Sequence, residues 1–254
     1  MPNDELDTTV RIVTVLVISG TGSGVGKTVV SAALAALTLR RGARVAVLKA
    51  VQTGVAVSQP GDLARVRSLV GSLTTSELRR FPDSLSPEQA ARRHGAAGIT
   101  PGQVAHAAAE LHQRHELVLL EGTAGLLARF DASGGTLPDV SWALSAPVIL
   151  VADAGSDTVA TTALSAEVAT ARGLDVAGVV IGRWPRDPGL VARCSVADLP
   201  VAAGAPLLGV LRDGLGDVSR DEFLMEADAG LSPVLGGTFD DESFATKLNS
   251  LPGP

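Results

Sequence analysis

Aliphatic runs alternate with longer mixed stretches along most of the chain. The runs are short and rich in Val, Leu and Ile, a pattern typical of the buried strands of a parallel sheet. We predict strands over 11–19, 43–49, 117–122, 147–153, 175–182 and 205–211. We predict helices over 27–42, 62–71, 100–115, 137–144 and 156–173. This alternation predicts an α/β fold, a single domain whose mostly parallel sheet is flanked by helices on both faces.

The pattern weakens in three segments. Residues 1–10 are polar and net acidic, so we expect a disordered N-terminal tail rather than a signal segment. Residues 75–100 are polar and contain two prolines, which favours short helices beside the sheet. After about residue 212 the alternation fades. We therefore predict one domain over 11–240 and a weakly patterned C-terminal tail over 241–254.

The composition narrows the class of protein. Hydrophobic residues make up 46% of the chain, enough for a full core, but aromatic residues only 3%. The net charge of -6 argues against general binding to nucleic acid or anionic membranes. The single cysteine, Cys194, excludes an intramolecular disulfide framework and suits a reducing compartment. Because no apolar run reaches the roughly 18 residues that span a membrane, we expect a cytoplasmic protein.

The segment between the first predicted strand and helix is a candidate phosphate-binding loop. It reads GTGSGVGKT over residues 20–28. Its glycines allow backbone N–H groups to surround phosphate oxygens, and the helix that follows adds the positive end of its dipole. In such a loop Lys27 reaches the outer phosphates and Thr28 holds Mg²⁺. Five residues separate Gly20 from Gly26, one more than in the usual phosphate loop.

Three charged residues stand near other predicted element ends. Lys49 ends the second strand, where a lysine either extends to solvent or faces a ligand. We expect this strand to neighbour the first, which would place Lys49 beside the phosphate loop. Glu121 ends a strand, as a Walker-B-like acid does, and either binds Mg²⁺ or caps an exposed loop. Asp62 begins a helix and is either a cap or another Mg²⁺ ligand.

The predicted topology places these residues together. In an open parallel sheet, ligands bind at the carboxyl ends of the strands. We expect one face of the molecule to carry the loops after residues 19, 49, 121, 153 and 182. A helix boundary is also predicted at Thr100, which is a suitable N-cap before a proline in the first helical position.

These segments, in this order, resemble the dethiobiotin synthetase family, its actinobacterial members in particular. The family's long phosphate loop has the form G-T-x-x-x-V-G-K-T, which residues 20–28 match, including the extra residue. VLKAVQTG (47–54) resembles its K-P-V-x-[ST]-G segment, and EGTAGLL (121–127) resembles its E-G-A-G-G loop. AGVVIGRWPRDPGL and APLLGVL are similar to its closing segments, so the resemblance covers roughly residues 11–211. It implies a P-loop NTPase-like fold.

The resemblance implies an ATP- and Mg²⁺-dependent ligase of biotin biosynthesis that acts as a homodimer. In that family an amine of 7,8-diaminopelargonate captures CO₂ as a carbamate, whose oxygen attacks the γ-phosphate of ATP. The second amine then closes the ureido ring of the resulting carbamic–phosphoric anhydride, and phosphate leaves. Carbamate and phosphate are both anionic, so paired lysines and Mg²⁺ suit this reaction.

The same resemblance implies roles for individual residues. Lys27 is expected to grip the γ-phosphate, and Lys49 to meet the carbamate and the transferred phosphate with Thr53 beside it. These three are the predicted catalytic residues. The predicted Mg²⁺ ligands are Thr28, Asp62 and Glu121. The predicted nucleotide-binding residues are Gly22, Ser23, Gly24, Val25, Gly26, Lys27, Thr28, Val29, Gly182, Trp184 and Pro185. The predicted substrate-binding residues are Lys49, Thr53, Gly122, Thr123, Ala124, Ser156 and Thr158.

Several loop residues depart from the family's pattern. Ala50 replaces the proline that follows the lysine, and this substitution should loosen the loop backbone. Thr123 and Ala124 replace an Ala-Gly pair, and a Cβ at 124 matters if the backbone there needs a positive φ. Gly182 stands where many members have an adenine-reading Asn, so we expect weak base selection.

The start of the helix over 156–173 departs as well. Thr158 and Val159 replace a common Asn-His pair, at the place thought to receive the substrate's tail carboxylate across a dimer interface. Asp157 puts a like charge near that carboxylate. Backbone N–H groups, with the Ser156 and Thr158 hydroxyls, can still bind it.

Three functions are therefore compatible with the sequence. The first is the ligase, and the second is a paralogue that keeps nucleotide binding but acts on another substrate. The third is a non-catalytic P-loop regulatory module. Partitioning ATPases of related fold carry an extra lysine early in the loop, in a K-G-G-x-x-K form that is absent here. The Lys49 segment favours the ligase, and the altered loops favour the paralogue.

Overall fold

The structure, a computed structural model, describes residues 15–249. Seven strands form one sheet, in which every pair of neighbouring strands is parallel. They are β1 (Val15–Gly20), β2 (Val45–Thr53), β3 (Thr74–Phe81), β4 (Leu117–Gly125), β5 (Val148–Asp153), β6 (Val176–Trp184) and β7 (Leu207–Arg212). Their order across the sheet is β3-β2-β4-β1-β5-β6-β7.

Helices connect the strands and follow the last one. Within residues 15–249 these are α1 (Lys27–Arg40), α2 (Asp62–Val70), α3 (Pro87–Arg93), α4 (Pro101–His112), α5 (Leu137–Leu144), α6 (Thr158–Ala171), α7 (Leu190–Ala203), α8 (Arg220–Gly230) and α9 (Asp241–Asn249). The predicted cap of α4 is confirmed, since Thr100 Oγ1 accepts the Gln103 N–H at 3.2 Å. No helix in the described part of the chain is long and apolar enough to cross a membrane.

The core has two layers because successive side chains of a strand point to opposite faces of the sheet. In β1, Val15 and Val17 belong to one buried cluster, and Leu16 and Ile18 belong to the other. Helices α1, α2 and α8 cover the Ile18 face, and α3 to α7 with α9 cover the Val17 face. The predicted α/β fold with helices on both faces is confirmed.

Two sequence predictions about the sheet are wrong. Residues 74–81 form β3, where short helices were expected over 75–100. This strand lies at the sheet edge, pairs only with β2 and is mostly half-buried, so its sequence TTSELRRF lacks an aliphatic run. The second strand also does not neighbour the first, because β4 lies between β2 and β1. Strand order depends on long-range pairing that local hydrophobicity does not encode.

The chain after residue 212 adds to both layers. Helix α8 packs against α1 and α2, and α9 packs against α7 and β7. The Phe244 ring of α9 meets the Trp184 indole edge-on, with centroids 5.4 Å apart. The predicted domain boundary at residue 240 stays a prediction. The predicted disordered tail over 1–10, and residues 250–254 of the predicted C-terminal tail, lie outside the described residues.

Candidate active site

An open cleft of about 620 Å³ lies at the carboxyl ends of the strands. Four of the five segments expected on this face contribute to it, namely those after residues 19, 49, 121 and 182. The predicted strand ends at 49, 121 and 182 are too early, because β2, β4 and β6 continue to Thr53, Gly125 and Trp184. The loop after β5 does not line the cleft, and the loop after β7, residues 212–217, does. The predicted site at the carboxyl ends of the strands is therefore confirmed, but the loop after β7 lines it in place of the loop after β5.

The phosphate-loop segment packs directly against the end of β6. Gly24 and Gly26 have φ of 73° and 100°, a region that favours glycine. A Cβ on Gly26 would lie 2.4 Å from the Gly182 carbonyl oxygen, and a Cβ on Gly182 would lie 2.4 Å from the Val25 carbonyl oxygen. Both glycines are therefore needed for this contact. Helix α1 begins at Lys27, so its N-terminus faces the loop.

Two lysines meet at this end of the sheet. The chain contains three lysines, and Lys27 and Lys49 both line the cleft. Lys27 Nζ donates to the Gly22 carbonyl at 2.8 Å. Lys49 Nζ lies 2.7 Å from Glu121 Oε1, 2.6 Å from Asp62 Oδ2 and 3.1 Å from the Gly122 carbonyl. A buried ammonium thus joins two carboxylates from different elements, Asp62 of α2 and Glu121 of β4.

The surroundings shift the pKa of the two lysines in opposite directions. Burial lowers the pKa of Lys27 to about 8, and the nearby Lys49 charge adds to this, although Glu121 and Asp62 partly oppose it. Burial also acts to lower the pKa of Lys49, but its carboxylate partners Glu121 and Asp62 outweigh burial and raise that pKa above its ordinary value. The carboxylates therefore favour the ammonium form of Lys49, whereas Lys27 loses its proton more readily than an exposed lysine.

The oxygen atoms near Lys49 fit a magnesium ion. Within residues 15–249, no three His, Cys, Asp or Glu side chains converge as a metal cluster. The candidate set is instead two carboxylates and a hydroxyl, since Thr28 Oγ1 donates to Glu121 Oε1 at 2.9 Å. In the described chain, Glu121 Oε2 is buried and has no hydrogen-bond partner. Carboxylate and hydroxyl oxygens suit a hard divalent cation, and this orphaned oxygen is available for one.

The predicted site residues divide into two groups by position. Those that line the cleft are Ser23, Gly24, Gly26, Lys27, Thr28, Val29, Lys49, Thr53, Asp62, Glu121, Thr123, Ala124 and Gly182. Those outside its lining are Gly22, Val25, Gly122, Trp184, Pro185, Ser156 and Thr158. Gly22 and Gly122 still take part through their carbonyl groups, which accept from Lys27 and Lys49. Trp184 is buried against Phe244.

The end of β4 after Glu121 carries two departures from the family's pattern, Thr123 and Ala124. Ala124 has φ of 60°, in the left-handed region, so the backbone needs the conformation for which glycine is best suited. Thr123 Oγ1 donates to the Val51 carbonyl, which links the end of β4 to β2. The Thr123 hydroxyl thus adds a cross-strand contact, while the Ala124 side chain adds strain.

The start of α6 lies apart from the cleft. Ser156 and Asp157 are exposed, whereas Thr158 is buried and its hydroxyl donates to the Asp153 carbonyl at 2.8 Å. That hydroxyl is therefore occupied within its own chain. The predicted role of Ser156 and Thr158 in binding the substrate's tail stays a prediction.

Several cleft residues were missed by sequence reasoning. Arg183 follows Gly182, donates to the Gly24 carbonyl at 3.2 Å and pairs with Asp213 at 2.9 Å. Arg65 of α2 pairs with Asp217 across the cleft. Arg183 and Asp213 follow the rule that ligand sites form at the carboxyl ends of strands, so the topology contained a signal for them.

Comparison with known sequences identifies close relatives over most of the chain. A model of an AAA domain matches residues 14–214. ATP-dependent dethiobiotin synthetase BioD of Streptomyces coelicolor is 52% identical over 233 residues, 92% of this chain and 98% of the relative. The protein of the same name in Saccharopolyspora erythraea is 54% identical over 230 residues, covering 88% and 97% of the two chains.

Comparison with solved structures concerns the fold alone. The cell division ATPase MinD of Pyrococcus furiosus matches with a TM-score of 0.51 and 20% identity, over 92% of this chain and 94% of the other. The MinC:MinD complex of Aquifex aeolicus matches with a TM-score of 0.54 and 14% identity, over 94% and 97%. The predicted P-loop NTPase-like architecture is confirmed.

Proposed function

The chain belongs to the family of ATP-dependent dethiobiotin synthetases, and we propose that the cleft around Lys49 is where it performs the family's reaction. It is a ligase of biotin biosynthesis, which closes the ureido ring of dethiobiotin from 7,8-diaminopelargonate and CO₂ with ATP. The observation that carries the proposed site is the Lys49 ammonium, buried between Asp62 and Glu121 beside the phosphate loop.

The phosphate loop holds the nucleotide. Backbone N–H groups of the loop and the N-terminus of α1 surround the phosphates, as positive partial charges do in such loops. Lys27 exchanges its contact with the Gly22 carbonyl for the γ-phosphate. An approaching polyanion raises the pKa of Lys27 again, so the bound state is the ammonium.

Lys49 acts on the reacting groups. One amine of the diamine attacks CO₂ and loses a proton, giving a carbamate whose charge the Lys49 ammonium balances. A carbamate oxygen then attacks the γ-phosphorus, and the bond from that phosphorus to ADP breaks. The second amine attacks the carbonyl carbon of the anhydride and loses a proton, the bond from that carbon to the phosphate oxygen breaks, and the ring closes with release of phosphate. Lys49 and Thr53 orient these groups at a position where the two anions would otherwise repel each other.

Magnesium is the cofactor that we propose for the oxygen cluster. Thr28, Asp62 and Glu121 would hold it, and the orphaned Glu121 Oε2 supports this assignment. When bound, the ion would neutralise phosphate charge during transfer. Asp62 and Glu121 would then serve the ion as well as Lys49, whose ammonium they hold in place.

Two properties come from the family resemblance and stay predictions. One is a homodimer, in which the start of α6 receives the substrate's tail carboxylate from the partner's site. The other is weak selection of the nucleotide base. Gly182 supports the second, because it contacts the phosphate loop and carries no side chain that could read a base. A cytoplasmic location also stays a prediction.

The test is phosphate release from ATP and Mg²⁺, with and without bicarbonate and 7,8-diaminopelargonate. We expect release that requires both co-substrates and is lost in Lys49→Ala. Lys247→Ala, which removes the lysine of α9 outside the lining of the cleft, is the matched control and should keep wild-type turnover. Tight nucleotide binding without diamine-dependent release would refute this activity and favour the paralogue with another substrate.

A further inference from the structure

We propose that Gln52 and Arg80 are positioning residues that together hold Asp62 at the reacting end of Lys49. The inference rests on the proposed function only in giving Asp62 a role at the Mg²⁺ site. Neither residue belongs to the phosphate loop or to the lysine–carboxylate cluster. Their geometry nevertheless connects them to Asp62 through the loop over residues 54–61, which precedes α2.

Gln52 fixes the start of α2. The residue is 4% exposed, and its side-chain Oε1 accepts the backbone N–H of Asp62 at 2.8 Å. Its Nε2 donates to the Thr53 carbonyl at 3.2 Å, which sets the orientation of the amide. The first N–H groups of a helix have no partner inside the helix, so this contact satisfies one of them from outside. Gln52 therefore caps α2 from a different element, at the residue that carries the carboxylate.

Arg80 fixes the loop that leads into α2. Its Nη1 donates to the carbonyls of Ala56 and Gln59 at 3.2 and 2.7 Å. Glu77 of the same strand binds the guanidinium at two points, 2.6 and 2.8 Å, and so holds it in one orientation. A guanidinium held on one side by a carboxylate presents its remaining N–H groups in a fixed direction. The loop backbone is thus anchored to β3.

The two side chains act at one point because of the sheet register. Gln52 of β2 and Arg80 of β3 are paired residues on neighbouring parallel strands. A Cβ on Gly61 would lie 2.7 Å from Arg80 Nη2 and 2.8 Å from Gln52 Oε1, so both side chains contact the residue just before Asp62. Gly61 is needed for this close approach. A side-chain pair across the sheet edge thereby determines where the backbone of Asp62 lies.

The position of Asp62 matters because its carboxylate has little freedom in the cluster. Its Oδ2 lies 2.6 Å from Lys49 Nζ, while Glu121 occupies another side of the same ammonium. A shift of the backbone by an ångström would break this contact, and displacements of that size cost large factors in rate. Outer-shell partners of carboxylate ligands affect metal affinity in the same way.

The experiment uses the full chain with five variants: Gln52→Met, Arg80→Met, Asp62→Asn, the double variant Gln52→Met/Asp62→Asn, and the control Arg67→Met. Arg67 also links α2 to β3, through Thr75, but within the described residues its side chain is not hydrogen-bonded to the loop over 54–61. Binding of Mn²⁺ in the presence of ADP is measured by electron paramagnetic resonance. Diamine-dependent phosphate release and thermal unfolding are measured on the same samples.

We expect Gln52→Met and Arg80→Met each to weaken Mn²⁺ binding and lower turnover by about tenfold or more. In the Asp62→Asn background, Gln52→Met should change neither Mn²⁺ binding nor turnover by more than about twofold. The effects of two substitutions that act through one group are not additive. Arg67→Met should leave both near wild type. Arg80→Met gives the same decision if Gln52→Met does not fold.

Three outcomes would overturn the inference. The first is wild-type Mn²⁺ binding and turnover in both Gln52→Met and Arg80→Met. The second is an equal loss of Mn²⁺ binding from Gln52→Met in the Asp62→Asn background and alone. The third is a loss of Mn²⁺ binding in Arg67→Met as large as in the other two single variants. Absence of diamine-dependent release by the wild-type protein would refute the proposed function instead. The Mn²⁺ titration would still decide the inference in that case, because it needs no diamine.

Discussion

Lys49 and Glu121 are register partners on the neighbouring strands β2 and β4, and their side chains form an ion pair of 2.7 Å. Both side chains are almost fully buried, at 3% and 0% exposure. Thr28, the last residue of the phosphate loop, connects that loop to the pair, because its hydroxyl donates to the same Glu121 carboxylate oxygen. The sheet register therefore joins the acidic and basic groups of the site before any ligand arrives.

Removal of one member of this pair should destabilise the fold. Lys49→Met leaves the Glu121 carboxylate buried without its main countercharge, and breaking a buried pair in this way costs roughly 3 kcal/mol or more. Urea unfolding without nucleotide measures this loss. The double variant Lys49→Met/Glu121→Gln should lose less free energy of unfolding than the two single variants lose in sum. A fully additive result would show that the pair contributes no coupling, and Arg114→Met, which removes an exposed cation just after α4, serves as the control.

A side chain at Gly182 should weaken nucleotide binding rather than restore base reading. Gly182→Asn places a Cβ 2.4 Å from the Val25 carbonyl, so the phosphate loop must move. We expect ATP and GTP affinities to fall together by about tenfold or more, in line with the sensitivity of such sites to small displacements. Titration calorimetry with both nucleotides checks this. Gly189→Asn, at a glycine with open space around it, is the control. A selective gain for ATP would contradict the prediction.

Ala124→Gly should stabilise the protein. Ala124 has φ of 60°, a conformation that costs a non-glycine residue about 1 kcal/mol. Its removal should raise the free energy of unfolding by about that amount, measured by urea denaturation. The same exchange at Ala109, an exposed position inside α4, should instead lower it by about 1 kcal/mol. Equal effects at the two positions would show that backbone strain at 124 is not the cause.

Acid should remove a specific stabilising contact at the other end of the sheet. Glu116 accepts hydrogen bonds from the Arg44 guanidinium and from its backbone N–H, which lower the pKa of Glu116 from 4.5 to about 2. A lowered pKa in the folded state stabilises the fold above the unfolded value. That stabilisation is lost as pH falls from about 4.5 towards about 2.

Glu116→Gln should therefore be less stable than wild type at pH 7, and the difference should shrink as the pH falls through that window. Urea midpoints at pH 7 and pH 3 measure the difference. Glu110→Gln removes an exposed carboxylate of α4 and should show a smaller difference at both values. A difference in urea midpoint between Glu116→Gln and wild type that is the same at both pH values would contradict the lowered pKa of Glu116.

Most of the candidate site could be predicted from the sequence because its residues stand at recognisable element ends. Lys27 and Thr28 follow a glycine-rich turn, and Lys49 and Glu121 end aliphatic runs of the sequence, although β2 and β4 continue to Thr53 and Gly125. Local hydrophobic periodicity and turn chemistry carry this information, since they act over a few residues. The face on which the loops gather follows from parallel topology alone. The chain by itself thus determined the fold class, the phosphate loop and four charged residues of the cleft, namely Lys27, Lys49, Asp62 and Glu121.

The tertiary structure decided which of these residues touch. Nothing local states that β4 lies between β2 and β1, so the pairing of Lys49 with Glu121 could not be read from the chain. The edge strand β3 escaped prediction because it is paired on one side only and needs no aliphatic run. The contact of Gly182 with the phosphate loop, and the joint hold of Gln52 and Arg80 on Gly61, likewise depend on register and strand order. Such contacts join segments far apart in the chain, and only packing of the whole sheet selects them.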